Sequence, residues 1–282
     1  MKKGIEVKEL TMRFGNITAL DRVDLILEEN RIYGLLGRNG AGKSTLLNVI
    51  GNRLYPSEGA VVIDGEIGMD NDRAQGKVYY MGEKNIYPEG TTVKQLFRWS
   101  KNFYPDFDME YAFQLAGEFG LNFKKKLKGL STGYLTIAKL IAALASNAPY
   151  TFFDEPVLGL DANHREMFYR ELIHRYSEQP RTIVISTHLI EEIADIIEQV
   201  VIIKEGKILL DRPAEQVKQM GYQVSGKASE VDAYCAGKKV LGEELLGGFK
   251  SACLLGQPEN VPASLEMMAL DLQKLFVQLT NA

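Results

Sequence analysis

A glycine-rich turn between an apolar strand and an amphipathic helix places the strongest constraint on how this chain can fold. The segment RIYGLLG is typical of a buried strand, GRNGAGKST follows it, and STLLNVIGNRL continues with apolar residues at helical spacing. The turn fits the pattern G-x-x-x-x-G-K-S/T, whose glycines let backbone N–H groups point inward as a nest for an anion. The helix that follows adds the positive end of its dipole. We therefore predict a phosphate-binding loop at the end of this strand.

The side chains of the loop fit the same chemistry. Lys43 can place its positive charge on the outer phosphates, and the hydroxyl of Ser44 can bind Mg²⁺. A glycine-rich turn that matches by chance is the alternative, but the strand before it and the helix after it favour phosphate binding. The predicted nucleotide-binding residues of the loop are Gly37, Arg38, Asn39, Gly40, Ala41, Gly42, Lys43, Ser44 and Thr45.

Two acidic residues end a second apolar strand, in the segment TFFDEP. Ligands of doubly wound sheets bind outside the carboxyl ends of the strands, which places Asp154 to hold Mg²⁺, through its water shell, as a metal ligand beside Ser44. Glu155 is placed to orient or deprotonate the water that attacks a γ-phosphate. A third strand, RTIVIST, ends at His188, which could contact that phosphate and help to position the water.

Composition restricts the class of protein. The chain has 282 residues, of which 45% are hydrophobic and 25% charged, and its formal net charge is −4, so a broad basic face for nucleic acid is not expected. Cys235 and Cys253 are not at metal-site spacing and are expected to be unpaired thiols in a reducing cytoplasm. The N-terminus has no apolar segment typical of a secretion signal, and no apolar run reaches the roughly 18 residues of a membrane span.

Strands that alternate with helices predict an α/β fold with a mostly parallel sheet. GIEVKEL and VDLILEE alternate like strands with one wet face, GAVVIDG ends in an Asp-Gly turn, and VVIIKEGKILL is predicted to be a hairpin. Residues from about 90 to 145 are predicted to be largely helical, as are residues 162–178 and the segment LIEEIADIIEQ. From about residue 215 glycines become frequent, and ASLEMMALDLQKLFVQLT is predicted to be one closing helix. We therefore divide the chain into residues 1–215 and a small C-terminal accessory segment, 216–282.

These elements and their order resemble the ATP-binding subunit of an ABC transporter from residue 4 to about 215. GRNGAGKS resembles the Walker A motif, FFDEP the Walker B motif with its catalytic glutamate, LGLDA the D-loop with Asp161, and STH the switch histidine. The segment MRFGNITALDRVDL resembles the one that carries the adenine-stacking aromatic residue, which would be Phe14. The resemblance implies a RecA-like P-loop NTPase core with an antiparallel β-subdomain, an α-helical subdomain at 84–145 and a C-terminal appendage.

The family's LSGGQ signature would fall at LSTGY, just before a long apolar helix. In the family this motif acts in trans, on the phosphate that the opposite subunit binds. The signature residues are Leu130, Ser131, Thr132, Gly133 and Tyr134. Ser131 offers a hydroxyl, Gly133 a backbone N–H and the helix its positive end, while Thr132 and Tyr134 depart from the motif. We therefore expect weaker or slower hydrolysis; a site that binds ATP better than it cleaves it is the alternative.

A second departure lies in YYMGEKN, where the family usually has a glutamine at the position of Glu83. A carboxylate is also a ligand for Mg²⁺, which prefers hard oxygen donors, although an ionised glutamate cannot donate a hydrogen bond. The alternative is that Glu83 faces solvent and that its loop acts through the backbone.

The resemblance implies an ATPase that uses ATP and Mg²⁺, sits on the cytoplasmic face of the membrane and pairs head to tail with a second ATP-binding subunit, so that ATP closes the dimer and hydrolysis loosens it. The partner would be an integral-membrane permease, contacted through a groove near Glu83. The closing helix resembles the tails of exporter-type subunits and favours export. Two alternatives stay open: a soluble ABC-type ATPase acting on ribosomes or DNA, and an ATP-sensing module with little hydrolysis. The cargo, the direction of transport and the choice between homodimer and heterodimer are also open.

Overall fold

Three β-sheets organise the part of the chain that the computed structural model describes, residues 3–84 and 86–281. Residues 1, 2, 85 and 282, which fall within the predicted domains, lie outside the described residues. The strands, in chain order, are β1 (Gly4–Phe14), β2 (Ile17–Glu28), β3 (Ile32–Leu36), β4 (Glu58–Ile63), β5 (Glu66–Ile67), β6 (Val78–Met81), β7 (Tyr150–Asp154), β8 (Thr182–Thr187), β9 (Gln199–Lys204), β10 (Lys207–Pro213), β11 (Gly221–Lys227), β12 (Val240–Leu246), β13 (Phe249–Leu255) and β14 (Glu266–Ala269). The helices are α1 (Lys43–Ile50), α2 (Asp72–Gln75), α3 (Val93–Phe103), α4 (Met109–Glu118), α5 (Thr132–Ala145), α6 (Ala162–Glu178), α7 (Ile190–Ile193), α8 (Ala214–Lys218), α9 (Ala228–Cys235) and α10 (Leu272–Asn281), and a short 3-10 helix spans Leu127–Gly129.

The central sheet has the strand order β10-β9-β3-β8-β7-β6, in which β10 alone among the described strands of this sheet runs antiparallel to its neighbour. The strands β3, β7 and β8 are buried along their whole length, which suits a sheet covered on both faces. Their carboxyl ends are level, since Leu36 pairs with Thr187 and Asp154 pairs with Ser186. The mostly parallel sheet predicted from the sequence is confirmed, and its three central strands end at one edge.

A second, antiparallel sheet has the order β2-β1-β4-β5. The predicted turn between β4 and β5 is a two-residue hairpin at Asp64 and Gly65, both with positive φ (51° and 82°), as a type I′ turn requires. The hairpin between β1 and β2 pairs Phe14 with Ile17 at its tip. Residues from this sheet and from α1 share one hydrophobic core with one face of the central sheet.

The helices α3, α4 and α5 fill the chain between β6 and β7. Thr92 and Gln95 form a reciprocal capping box at the start of α3, and the hydroxyl of Ser131 accepts from the backbone N–H of Tyr134 at the start of α5. From Ile137 onward every residue of α5 is buried, so this helix is the centre of the helical region. Among the described residues, no helix combines the length and the apolar character that crossing a bilayer demands.

The third sheet is antiparallel, with the order β12-β13-β11-β14, and is built from the C-terminal part of the chain. One face packs against α9 in a core of its own, which contains Val224 and Val231. On the other side, α10 contacts α7, and its buried residues Leu275 and Phe276 belong to the same core as the central sheet.

Two helix predictions are wrong. The segment predicted as one closing helix begins with β14, because Glu266–Ala269 pairs with β11 along Tyr222–Ser225, and only Leu272–Asn281 is helical. Edge pairing here outweighs the helical propensity of the sequence. The segment LIEEIADIIEQ contains only the single helical turn α7, after which Ile196 and Ile197 donate backbone hydrogen bonds to Ile193 in a turn. Of the closing segment that resembles the tails of exporter-type subunits, only α10 is a helix.

Candidate functional site

A cavity of about 350 Å³ lies at the carboxyl edge of the central sheet, where β3, β7 and β8 end. Its lining combines the glycine-rich loop, the start of α1, the loop after β6 and the residues that follow β7 and β8. The lining residues are Ala19, Asn39, Gly40, Ala41, Gly42, Lys43, Ser44, Thr45, Glu83, Glu155, Leu158 and His188. The chain thus brings most of the predicted loop residues together with three of the predicted acidic and histidine residues.

The backbone of the glycine-rich loop requires glycine at its last position. Gly42 has φ 114°, and a Cβ atom there would lie 2.9 Å from the backbone oxygen of Ala19. Gly37 is buried just before the loop and Arg38 is exposed beside it; neither is among the cavity's lining residues, but both direct a carbonyl group at Lys43. The loop backbone therefore requires glycine at position 42 and supplies two carbonyl groups that hold Lys43.

Lys43 is the buried positive charge of the cavity. Its Nζ donates to the carbonyl oxygen of Gly37 at 2.7 Å and lies 3.8 Å from a carboxylate oxygen of Glu155. Burial lowers the pKa of Lys43, while the charges of Glu155 and Asp154 act in the opposite direction. A buried ammonium group without a carboxylate in hydrogen-bond contact is suited to bind an incoming anion.

Asp154 is buried at the end of β7 and accepts hydrogen bonds from three hydroxyl groups. Its Oδ1 accepts from Ser186 at 2.7 Å and from Ser44 at 3.1 Å, and its Oδ2 accepts from Tyr80 at 3.0 Å. The predicted pair of metal ligands, Ser44 and Asp154, is thus in direct contact.

Glu155 follows in a left-handed backbone conformation, with φ 49°, and its N–H donates to the carbonyl oxygen of Ser186 at 2.9 Å. Its two carboxylate oxygens lie 3.1 and 3.0 Å from Nδ1 of His188, and one of them accepts from Thr187 at 3.5 Å. This geometry directs a carboxylate and an imidazole into the same side of the cavity. A water between them and a bound phosphate would have a base within reach.

Glu83 is exposed and lines the cavity from the loop that follows β6. The loop is held by Lys139, a buried lysine of α5, whose Nζ donates to the carbonyl oxygens of Gly82, Glu83 and Lys84 at 3.1, 2.6 and 3.1 Å. Burial lowers the pKa of Lys139, and the charge of Glu83 acts in the opposite direction. Glu83 therefore lines the cavity while its loop is anchored through the backbone, and both interpretations of Glu83 from the sequence stay open.

The remaining predicted residues lie outside this cavity. Phe14 is 47% exposed at the tip of the β1–β2 hairpin, so its ring is accessible. Leu130 is half-buried at the end of the 3-10 helix, against the main core. A separate cavity of about 360 Å³ is lined by Ser131, Thr132, Gly133, Tyr134 and Asp161. It shares no lining residue with the cavity around Lys43, which is named the phosphate cavity after its predicted ligand.

In the cavity that Ser131 lines, α5 meets the segment that follows β7 at very short range. A Cβ atom on Gly133 would lie 2.7 Å from the backbone oxygen of Gly159. Asp161 caps α6 through the N–H of His164, and its carboxylate also contacts the imidazole of that residue at 2.9 Å. The ring of Tyr134 lies edge-on to the same imidazole, with 6.1 Å between the ring centroids. The departure at Tyr134 therefore joins the signature segment to the D-loop through His164.

Three polar residues of the site were missed by the sequence analysis: Tyr80, Ser186 and Asn48, whose amide donates to the hydroxyl of Tyr80 at 3.1 Å. Tyr80 and Ser186 each lie one residue before the end of a strand of the central sheet. A search for polar residues at strand ends would have found them, as it found Asp154.

The parallel sheet, the glycine cradle and the buried lysine define a P-loop nucleotide-binding protein. A family model described as "ABC transporter" matches residues 20–158. The chain is 27% identical over 215 residues to the ABC transporter ATP-binding protein YtrB of Bacillus subtilis (strain 168), covering 76% of this chain and 74% of that protein. It is 30% identical over 232 residues to the uncharacterized ABC transporter ATP-binding protein MJ1023 of Methanocaldococcus jannaschii, covering 79% of this chain and 82% of that protein.

Solved structures agree with this relationship. The dimeric, post-hydrolysis structure of the ATP-binding cassette MJ0796 bound to ADP and Pi is 25% identical, with a TM-score of 0.65 over 74% of this chain and 98% of that chain. The chain belongs to the ABC transporter family of ATP-binding proteins, and it is an ATPase. The resemblance found in the sequence and the fold class expected from it are confirmed.

Proposed function

We propose that this chain powers a membrane transporter by hydrolysing Mg–ATP in the phosphate cavity, with the γ-phosphate near Lys43 and the attacking water near Glu155. The observation that carries the proposal is the convergence of one buried lysine, two adjacent acids and a histidine at the edge where three parallel strands end. ATP fits this cavity because the loop supplies N–H groups and a positive charge for the phosphates. Phe14 would stack on the adenine from the hairpin tip.

The residues divide the chemistry between them. Glu155 orients or deprotonates the water, and His188, in contact with both oxygens of Glu155, keeps the carboxylate directed into the cavity and contacts the γ-phosphate. Lys43 moves from its contact with the Gly37 carbonyl to the outer phosphates. Catalysis is then positioning and electrostatic stabilisation.

The donor set also fits Mg²⁺. Ser44 and Asp154 are in hydrogen-bond contact and Glu83 lines the same cavity, so the oxygen donors are few and adjacent. Among the described residues no group of three or more acidic, histidine or cysteine side chains forms a closed metal cage. This suits Mg²⁺, which is commonly held by one or two carboxylates together with substrate phosphates and waters. When bound, the ion would neutralise charge on the phosphates.

The separation of the signature segment from the phosphate cavity supports a site shared between two subunits. Ser131 and Gly133 would complete the phosphate cavity of a second ATP-binding subunit, and the Asp161 loop would lie at the same interface. ATP then closes the dimer because both subunits contact its charge. The dimeric state of the MJ0796 structure supports this arrangement.

A groove of about 750 Å³ beside the Glu83 loop is the proposed site for the permease. It is lined by Tyr87, Trp99 and Tyr104, and the exposed Ile86 and Phe103 lie at its edge. Docking there would hold the chain on the cytoplasmic face of the membrane. We further propose export as the direction, for which α10 is the supporting feature, and we divide the chain into the cassette 1–215 and the accessory segment 216–282.

Two variants test the catalytic proposal. Lys43→Ala is expected to lose nucleotide binding, because the positive charge of the cradle is removed, and Glu155→Gln is expected to bind Mg–ATP but to lose nearly all turnover. Calorimetry reports the binding and phosphate release reports the turnover. If the Glu155→Gln protein hydrolyses ATP as fast as the parent, the assignment of Glu155 as the base is wrong. A parent protein that binds Mg–ATP without turnover would favour an ATP-sensing module instead.

Co-purification tests the transport proposal. The full chain, isolated from detergent-solubilised membranes, is expected to carry an integral-membrane protein, and Phe103→Glu in the groove should weaken that association by placing a charge in an apolar contact. Equal recovery of the membrane protein with the parent and with Phe103→Glu would contradict the groove assignment. Inverted vesicles that contain the complex should accumulate the cargo on addition of ATP if the direction is export.

A further inference from the structure

Tyr80 lies between Asp154, the proposed metal ligand, and the groove proposed for the permease. It is the third residue of β6 and is half-buried, with its hydroxyl group in contact with Asp154. The hydroxyl accepts from Nδ2 of Asn48 at 3.1 Å and donates to Oδ2 of Asp154 at 3.0 Å. Asn48 is itself oriented by donating to the carbonyl oxygen of Ser44 at 2.6 Å. The direction of the Tyr80 hydrogen bond is therefore fixed, with Asp154 as the acceptor.

The hydrogen bonds to Asp154 are unevenly divided. Both serine hydroxyls reach Oδ1, and within the described part of the chain Tyr80 supplies the side-chain donor to Oδ2. A carboxylate can only accept, so the phenol of Tyr80 is the donor in this contact. Hydrogen bonds to a carboxylate are among the stronger ones in proteins, and this one holds the plane of the Asp154 carboxylate.

The ring of Tyr80 belongs to the groove proposed for the permease. The guanidinium of Arg53 lies over the ring, 4.4 Å from its centroid, and Arg53 also donates to the carbonyl oxygen of Tyr80 at 3.4 Å. Both residues line the groove. One face of Tyr80 is therefore covered by a side chain that a docked partner would touch, while its hydroxyl touches Asp154.

We propose that Tyr80 is a positioning residue that fixes the Asp154 carboxylate for Mg²⁺ and transmits a change at Arg53 in the groove to the metal site. This rests on the proposed function, because Asp154 is assigned there to the metal. Arg53 and Tyr80 would carry this change through their side chains, whereas Lys139 holds the Glu83 loop through its backbone. A displacement of Arg53 by a docked partner would change the packing of the Tyr80 ring, and the hydroxyl would carry that change to Oδ2.

The test uses the full chain with a non-hydrolysable ATP analogue, and it measures the Mg²⁺ concentration that gives half-maximal analogue binding in calorimetry. Tyr80→Phe keeps the ring and removes the hydroxyl, so this midpoint should rise by about fivefold, since a hydrogen bond to a charged acceptor is lost. Tyr176→Phe is the matched control, because it removes a hydroxyl that lies 2.9 Å from a carboxylate oxygen of Glu198, and Tyr176 lines neither the phosphate cavity nor the groove. Its midpoint should equal that of the parent.

A double-mutant cycle tests the transmission. Arg53→Ala should raise the midpoint by about twofold in the parent and should have no effect in the Tyr80→Phe background. An unchanged midpoint in Tyr80→Phe, with the parent still Mg²⁺-dependent, overturns the positioning role while leaving the proposed function standing. An equal Arg53→Ala shift in both backgrounds overturns the transmission. If the parent binds the analogue equally with and without Mg²⁺, the assignment of the metal site is wrong. That result overturns this proposal as well.

Discussion

Glu155 has an uncommon backbone conformation for a residue with a long side chain. Left-handed φ values cost a non-glycine residue about 1–2 kcal/mol, and here the hydrogen bond from its N–H to Ser186 helps to hold it. The conformation turns the side chain away from the direction that the strand would give it and towards His188. Strained residues of this kind often occur where a side chain must be aimed at a reacting group.

The close contact between Gly133 and Gly159 leads to a prediction for a single substitution. Alanine there would place Cβ 2.7 Å from the backbone oxygen of Gly159, and neither the helix nor the loop can yield without moving the signature segment. We expect Gly133→Ala to lower the free energy of unfolding by about 1–3 kcal/mol, as overpacking does, and to reduce turnover further than that loss explains. Urea unfolding and phosphate release measure the two effects.

Gly129 provides the matched control for Gly133. It lies four residues earlier, in the 3-10 helix, and a Cβ atom there would meet nothing within 4 Å. Gly129→Ala should leave both the stability and the turnover near those of the parent. If Gly133→Ala behaves in the same way, the close contact with Gly159 does not govern the signature segment.

At the scale of the element, the sequence predicted most of the functional structure because local patterns decide it. The strand, glycine loop and helix around Lys43 were predicted from spacing, and so was α6, whose Asp161 cap marks its start. The hydrogen bonds to Asp154 from Tyr80 and Ser186 could not be predicted, since they depend on the strand order of the sheet. The strand β14 was missed for the same reason, because its partner lies more than forty residues earlier.

Lys139 connects α5 to the Glu83 loop, and we predict the effect of replacing it. Lys139→Met keeps much of the side-chain volume but leaves three carbonyl groups of the Glu83 loop without their donor. We expect a loss of about 1–3 kcal/mol in the free energy of unfolding and faster hydrogen exchange of the amides at residues 82–84. Lys94→Met, at an exposed lysine of α3, should change neither. Unaltered exchange in Lys139→Met would mean that the loop is held by other contacts.

At the scale of the whole molecule, the two separate cavities predict how the chain assembles. If each ATP site is shared between two chains, as proposed, ATP should bring two chains together when hydrolysis is blocked. Glu155→Gln with Mg–ATP is expected to sediment as a dimer, and without nucleotide as a monomer. Adding Lys43→Ala to that variant should abolish the dimer, because the nucleotide no longer binds. A Glu155→Gln protein that remains monomeric at saturating Mg–ATP would count against a shared site between identical chains.

The helix α10 has a consequence for how this chain can be recombined with its relatives. Its apolar residues Leu275 and Phe276 share a core with the central sheet, and the helix contacts α7, which begins two residues after His188. A chimaera that grafts a foreign tail onto residues 1–215 would leave that part of the core open unless the graft carries an equivalent helix. A chimaera should therefore take α10 and the α7 surface that it contacts from the same parent protein.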